Sequence, residues 1–467
     1  MPGRSPSMAS VHAAPRPPEA LERVLGLGDL IMLVIGAVIG SGIFIVPATV
    51  LRQTGGDLPL ALTVWIAGGA LSFLGALAYA ELAAMRPESG GLYVYIRDAF
   101  GRFPSFVYGW TLFFLIGTGS LATLAVAFTA YFGQLAPVGP LAGKLLALAM
   151  IAVLMVLNVL GTRRSADVQN WTTAVKLVAI VVMSVALIAA GGGGEGAAPG
   201  TGAPAAAAGS VSLLGALGLA MVGVLWAYEG WQFATFSAGE VKNAQALFPL
   251  GMAIGTATLI IVYCLAVVGY VAALGVDAAM ATESIAATAV SSTFGTVAGR
   301  LITAAILVSI FSAANSVFLT CTRVTWAMAH DGLFFRRLAA VHPRYGTPAV
   351  SIVATGLWAM VLAATGTFDQ LLTYVVFTGW IFYSLGGAAL FALRRKQPGT
   401  PRPFRVPGYP VTPLLFVAAG AAVVLNAVFT QPRESAVGIV IVMVGAPAYL
   451  IWRSKDAAGG KRSSAGD

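Results

Sequence analysis

The sequence predicts an all-α polytopic membrane protein with twelve transmembrane helices. Composition is the first reason: of 467 residues 58% are hydrophobic and only 10% charged, with a mean hydropathy of +0.86, whereas an ordinary globular chain carries about a quarter charged residues. The second is a series of twelve apolar stretches, each close to the roughly 20 residues a helix needs to cross a hydrocarbon core. The third is the distribution of Lys and Arg, which sorts the connecting loops into a basic side and a poor one.

In chain order the stretches fall near 28–50, 58–82, 105–132, 141–161, 170–190, 212–236, 248–274, 300–328, 348–365, 371–393, 411–430 and 435–452. The first carries VIGSGIF (Val38 to Phe44) at its middle and meets Pro47 just after; the second ends at Glu81 and Arg86. The fifth contains Lys176, and the sixth contains WAYEGW, Trp226 to Trp231. Between the fifth and sixth lies GGGGEGAAPGTGAPAAAAGS, residues 191–210, whose composition makes a flexible tether. The connection at about 275–299 is polar and rich in Ala, Ser and Thr, the expected place for a short cap over one face. Basic runs such as LRRKQPGTPRPFR follow the tenth span and need no role beyond topology and attraction to anionic lipid.

With twelve spans both termini share a side, and that side holds 22 of the 27 Lys and Arg, Arg323 counted among them. Arg52, Lys144, Arg300 and Arg433 lie opposite, and Lys176 falls inside a span. The positive-inside rule makes the termini cytoplasmic and the chain a multi-pass protein of the cytoplasmic membrane. The net charge of +9 therefore implies no nucleic-acid partner, because the basic residues sit in loops and not on one polar face. The first twenty residues have no apolar core of signal-peptide length and read as a tail. Cys264 and Cys321 lie within spans, so neither a disulfide nor a metal site is expected, and no cofactor is implied.

The first and sixth spans share an oddity. Glycine inside a helix costs roughly 1 kcal/mol relative to alanine, and backbone left unpaired in lipid costs several kcal/mol more. Broken helices at membrane depth therefore persist only where they line a cavity, and a pair of glycine-interrupted spans at matching positions of two halves points to a transporter's central site. Close packing of small residues is the plainer reading of one such motif; two, one of them with the carboxylate of Glu229, favour the site. Unwinding at Gly40 would present the N–H groups of Ser41 and Gly42 at a helix N-terminus, which suits a carboxylate. Carbonyls released around Trp226, Ala227 and Glu229 would accept from an ammonium, so the pair fits the zwitterionic end of an α-amino acid.

IGSGIF in the first span, AYAELAAMRPESGGLYVYIRDAFG after the second, WAYEGWQ followed by GEVKN, RVTWAMAHDGLF after the eighth and PFRVPGYPVTPLLF into the eleventh together resemble the amino acid-polyamine-organocation superfamily. The ending LNAVFTQPRESAVGIVIVMVGAPAYLIW is most similar to the bacterial relatives of the L-type amino acid transporters. The resemblance covers about residues 25 to 455. It implies a five-plus-five inverted repeat with broken helices one and six and two extra C-terminal helices. That divides the chain into a tail (1–24), a transport core (25–394), helices eleven and twelve (395–453) and a second tail (454–467). It also implies alternating access around a site made by Val38, Ile39, Gly40, Ser41 and Gly42 with Trp226, Ala227, Glu229 and Gly230, the ring of Trp226 acting as a gate. Lys176 matches a lysine whose ammonium takes the place of a sodium ion and bridges helices one and eight.

Three features depart from the family's pattern. NAQALFP replaces the usual proline-rich turn after GEVKN, and Ala313 and Ala314 stand where a small hydroxyl would face the lysine, leaving Ser309 and Ser312 as the nearest hydroxyls. Glu229 stands where many relatives have Gly or Asp; it binds a cation, takes a proton or pairs with a polar neighbour. Glu81 and Arg86 read either as an ion pair and gate element or as a solvated helix end.

Of the function classes, a carrier of L-amino acids, with neutral side chains, is the leading one, as an exchanger or with protons as coupling ions. Cationic amino acids or polyamines stay open should Glu229 face the pocket. A membrane-embedded enzyme lacks a base, since none of the three His lies in a span, and no phosphate-binding GxxxxGK[ST] loop appears. A channel would need a continuous polar lining, whereas Lys176 and Glu229 are the only charges expected at depth.

Overall fold

The computed structural model describes residues 21–191 and 213–463. The N-terminal tail to residue 20 and nearly all of the 191–210 tether lie outside them. Sixteen α-helices run in order: α1 (Leu27–Val38), α2 (Gly42–Gln53), α3 (Leu58–Met85), α4 (Leu92–Phe100), α5 (Arg102–Thr111), α6 (Gly117–Leu135), α7 (Pro140–Val159), α8 (Thr162–Ala190), α9 (Leu213–Ala227), α10 (Ala244–Ala281), α11 (Ile285–Phe294), α12 (Thr296–His330), α13 (Ala349–Thr365), α14 (Phe368–Lys396), α15 (Val411–Thr430) and α16 (Pro432–Ser463). A π-helical turn, Leu112–Ile116, joins α5 to α6, and a 3-10 segment, Trp231–Glu240, continues α9. No strand occurs among the described residues.

Nine helices, or ten if the bent pair α1 and α2 counts as one span, are long and apolar enough to cross a membrane among the described residues. The two remaining spans of the expected twelve miss that mark for local reasons. Span six is broken after Ala227, so α9 has only 15 residues, and α13 has 17, at the short end of what crosses a bilayer. The 275–299 connection is largely helical: α10 continues across a break at Gly275, and α11 then buries Ile285, Ala286, Ala289 and Val290. The last helix runs on to Ser463, beyond the expected start of the C-terminal tail.

The spans pack so that α10 lies on α3, α8 and α1, and α12 on α6 and α8. Their apolar outer faces are the lipid surface: Trp171, Val178, Val182 and Val185 line one such stripe on α8, opposite buried Ser165, Gln169, Thr173 and Lys176. An α-helix whose polar residues face inward and whose aliphatic ones face outward is the membrane form of amphipathicity, since lipid and not water is outside.

At the end of the bundle that carries both described termini, charges tie loops to spans. Glu81 accepts from Arg394 Nη2 at 2.6 Å and from the Val406 N–H at 2.6 Å, while Arg86 pairs with Asp98 at 3.1 Å. Glu81 and Arg86 are therefore no ion pair with each other: α3 ends at Met85, which turns Arg86 toward α4. Arg97 bridges α4 to the end of α12 through Asp331 at 2.7 Å, and the Tyr93 hydroxyl donates to the same carboxylate at 2.8 Å. Burial, and then the negative charge of Asp331, hold the Tyr93 phenol well above its ordinary pKa.

Candidate functional site

Helix one breaks where the glycines predict. α1 stops at Val38, the Gly40 N–H turns back to the Val38 carbonyl at 2.8 Å, and α2 starts at Gly42 with its axis bent by 47°. Span six breaks at Tyr228–Gly230, with Gly230 at φ 126°, a left-handed conformation that excludes side chains. The two breaks touch backbone to backbone. A Cβ on Gly42 would sit 2.7 Å from Ala227 Cα, and one on Gly230 would sit 2.7 Å from the Ala37 carbonyl carbon. Small residues thus let two unwound segments meet.

Between them lies a narrow cavity of about 30 Å³ lined by Ala37, Val38, Gly40, Ser41, Gly42, Ser120, Leu124, Trp226, Glu229, Phe233, Ala313 and Val317. It has room for one or two waters, so an amino acid would enter only as these elements move apart. Ser41 and Gly42 open α2, and as the first N–H groups of that helix they have no partner within it. The Ser41 hydroxyl is buried, 1% exposed, and has no hydrogen-bond partner among the described residues. Glu229 also faces the cavity: the Tyr383 hydroxyl donates to its Oε1 at 2.8 Å, while Oε2 is buried with no partner among the described residues.

The other expected site residues take different places. The Ile39 carbonyl points away from the cavity, toward α8 and α12, where Lys176 Nζ donates to it at 2.6 Å and Ser309 Oγ at 3.0 Å. Lys176 also donates to the Gly36 carbonyl at 2.7 Å, and Ser309 to that of Gly40 at 3.2 Å. Lys176, 1% exposed and with no carboxylate partner among the described residues, thus gives its Nζ to helix-one carbonyls, the ones that unwinding frees. Ser312 does not meet the lysine; it lies 3.2 Å from Gln169 Nε2 and 3.3 Å from Thr173 Oγ1. Ala227 and Gly230 are not among the residues lining the cavity, and the Val38 and Ala227 carbonyls share the hydroxyl of Tyr263 at 3.1 and 3.0 Å.

Sequence reading missed several residues here. Tyr263 and Tyr383 gave no signal beyond a polar tip in an apolar run. Arg323 did give one: it lies inside the eighth span and is no loop residue. It is wholly buried in α12, pairing with Glu240 at 2.7 Å while its Nη2 donates to Thr162 at 2.8 Å. The rule that charge at membrane depth marks a built site applies to it as well as to Lys176.

Comparison with known proteins agrees with this geometry. A family model described as "Amino acid permease" matches residues 25–449. The chain is 30% identical to the serine/threonine exchanger SteT of Bacillus subtilis (strain 168), over 94% of this chain and 98% of that protein. It is 31% identical to the cystine/glutamate transporter of Homo sapiens, over 97% and 90% of the two chains, and 30% identical to the human b(0,+)-type amino acid transporter 1, over 93% and 88%. A match that runs from before the first helix into the last, on a bundle with two facing broken spans, identifies a transporter and not an enzyme: the chain belongs to the amino acid permease family of the amino acid-polyamine-organocation superfamily.

Proposed function

We propose that this permease moves neutral L-amino acids across the cytoplasmic membrane by alternating access, as an exchanger, with both termini in the cytoplasm. The observation that carries the proposal is the facing pair of breaks: the α2 N-terminus at Ser41 and Gly42 stands across a shared cavity from Trp226 and Glu229. N–H donors and the free Ser41 hydroxyl take the carboxylate, the carbonyls of Trp226 and Glu229 at the opposite break take the ammonium, and the Trp226 ring closes over the substrate. Leu124, Phe233, Ala313 and Val317 make the rest of the lining apolar, which suits an uncharged side chain. Lys176 occupies the cation position of the site as a fixed charge, so transport needs no sodium. Exchange is also what the name of the Bacillus subtilis relative states.

A second reading rests on one atom. Glu229 Oε2 is unpartnered on the cavity wall, and a buried charge or polar atom without a partner is costly. A cationic substrate side chain would supply that partner, and so would a proton, which would make Glu229 the coupling group of a symporter. Uptake of radiolabelled L-amino acids into proteoliposomes separates these readings. Vesicles preloaded with unlabelled amino acid are compared with empty vesicles under an inward proton gradient, with neutral and cationic competitors present. Stimulation only by internal neutral amino acid is the expected result. Stimulation by the gradient alone would replace exchange with proton symport, and competition by lysine or arginine alone would replace neutral with cationic substrates.

A further inference from the structure

A hydrogen-bonded group of six side chains lies buried between α7, α8 and α12: Asn158, Ser165, Gln169, Thr173, Ser312 and Asn315, each no more than 1% exposed. The site described above uses none of them as a ligand. Its bonds close on themselves. Asn315 Nδ2 donates to the Ser165 carbonyl at 3.1 Å and to Gln169 Oε1 at 3.2 Å, while its Oδ1 accepts from Asn158 Nδ2 at 3.0 Å and Ser165 Oγ at 3.1 Å. Gln169 Nε2 donates onward to Thr173 Oγ1 at 3.0 Å and to Ser312 Oγ at 3.2 Å. Every amide hydrogen of Gln169 and Asn315 is used, which fixes the orientation of both amides.

The far end of this group reaches helix one. Gln169 Nε2 and Thr173 Oγ1 occupy the space a Cβ on Gly36 would need, and the Gly36 carbonyl is one of the two that Lys176 binds. One turn beyond Thr173 on α8 stands Lys176; one turn before Ser312 on α12 stands Ser309. Those two donors converge on the Ile39 carbonyl only while α8 and α12 keep their spacing, and the amides of Gln169 and Asn315 span that spacing.

We propose that Gln169 and Asn315 are positioning residues of the transport site: they set the separation of α8 and α12 so that Lys176 and Ser309 together hold the broken segment of helix one in its unwound form. This rests on the reading that the amino acid binds at that break. The group acts through α8 and α12 and touches no substrate.

The test uses the full-length chain with Asn315→Leu, the double change Gln169→Leu with Asn315→Leu, and the gentler Thr173→Val. Removing one partner strands a buried amide, whereas replacing both with apolar groups relieves that cost, so the double variant folds even where the single one does not. Two quantities are read: hydrogen exchange of the segment 36–44, and KM and Vmax for amino acid exchange in proteoliposomes. In the double variant and in Thr173→Val, segment 36–44 loses protection, KM rises about tenfold and Vmax stays within about twofold. A folded double variant with unchanged protection at 36–44 and unchanged KM would overturn the proposal, leaving the group as packing alone. Should the amino acid reading itself fail, the wild type would show no exchange, while the loss of protection at 36–44 would still appear.

Discussion

Lys176 and Ser309, from two different helices, donate to one carbonyl oxygen, that of Ile39, at 2.6 and 3.0 Å. A carbonyl released from a helix inside a membrane must find donors or cost several kcal/mol. Here the donors come from outside the broken helix, so the break is held by α8 and α12 and is no local weakness of the sequence.

Lys176→Ala removes the ammonium and leaves the Gly36 and Ile39 carbonyls short of a donor. Exchange is expected to fall at least about tenfold, since each lost charge-assisted bond is worth roughly 1.5–3 kcal/mol. Lys176→Arg does not rescue it, because the position is 1% exposed and closed around Nζ. Initial rates in proteoliposomes measure both, and retained exchange in the alanine variant would remove the lysine from the account.

Sodium dependence follows from the same charge. With external sodium replaced by choline, uptake is expected to be unchanged, because Lys176 Nζ already donates to the carbonyls of the break. A strict sodium requirement would contradict that assignment.

Gly42→Ala and Gly40→Ala separate close approach from general flexibility. A Cβ at 42 would meet Ala227 Cα at 2.7 Å, backbone that cannot step aside, whereas at 40 the nearest atoms are side-chain carbons at 3.4 Å. The first is expected to abolish exchange and the second to retain most of it. Overpacking of this kind typically costs about 1–3 kcal/mol, read as a drop in Tm for Gly42→Ala alone.

Arg323→Met leaves the wholly buried Glu240 carboxyl without the guanidinium that pairs with it, the Thr162 hydroxyl remaining as its side-chain donor. Loss of about 3–5 kcal/mol is expected, while pairing it with Glu240→Leu restores much of the stability, since replacing both ends of a buried pair is often neutral. Thermal unfolding of the two proteins in detergent checks the contrast; equal Tm values would show that the pair is not coupled.

Much of this was legible in the sequence, for reasons that show where legibility ends. Apolar length places spans because lipid imposes one dominant requirement on them, and all twelve expected stretches coincide with helices. VIGSGIF and WAYEGW mark the breaks because glycine and charge inside a span are costly enough to need a reason. Lys176 stands out by the same argument. What periodicity does not carry is which carbonyl a donor reaches. Ser309 and Ser312 are three residues apart in α12, yet one binds Ile39 and the other the Gln169 amide. Ile39, expected at the substrate, turns its carbonyl to the lysine, and the Tyr263 and Tyr383 partners come from spans that sequence spacing cannot align. Arg323 was legible and misassigned, because counting charges by side treated a buried residue as part of a loop.

The central claim is that backbone groups at the two breaks read both ends of an α-amino acid. The most direct measurement is inhibition of labelled exchange by three derivatives of the transported amino acid: the free compound, its methyl ester, which lacks the carboxylate, and its N-acetyl form, which lacks the ammonium. Only the free compound is expected to compete. Equal competition by the ester would remove Ser41 and Gly42 as the carboxylate site, and equal competition by the N-acetyl form would remove the carbonyls of the sixth span.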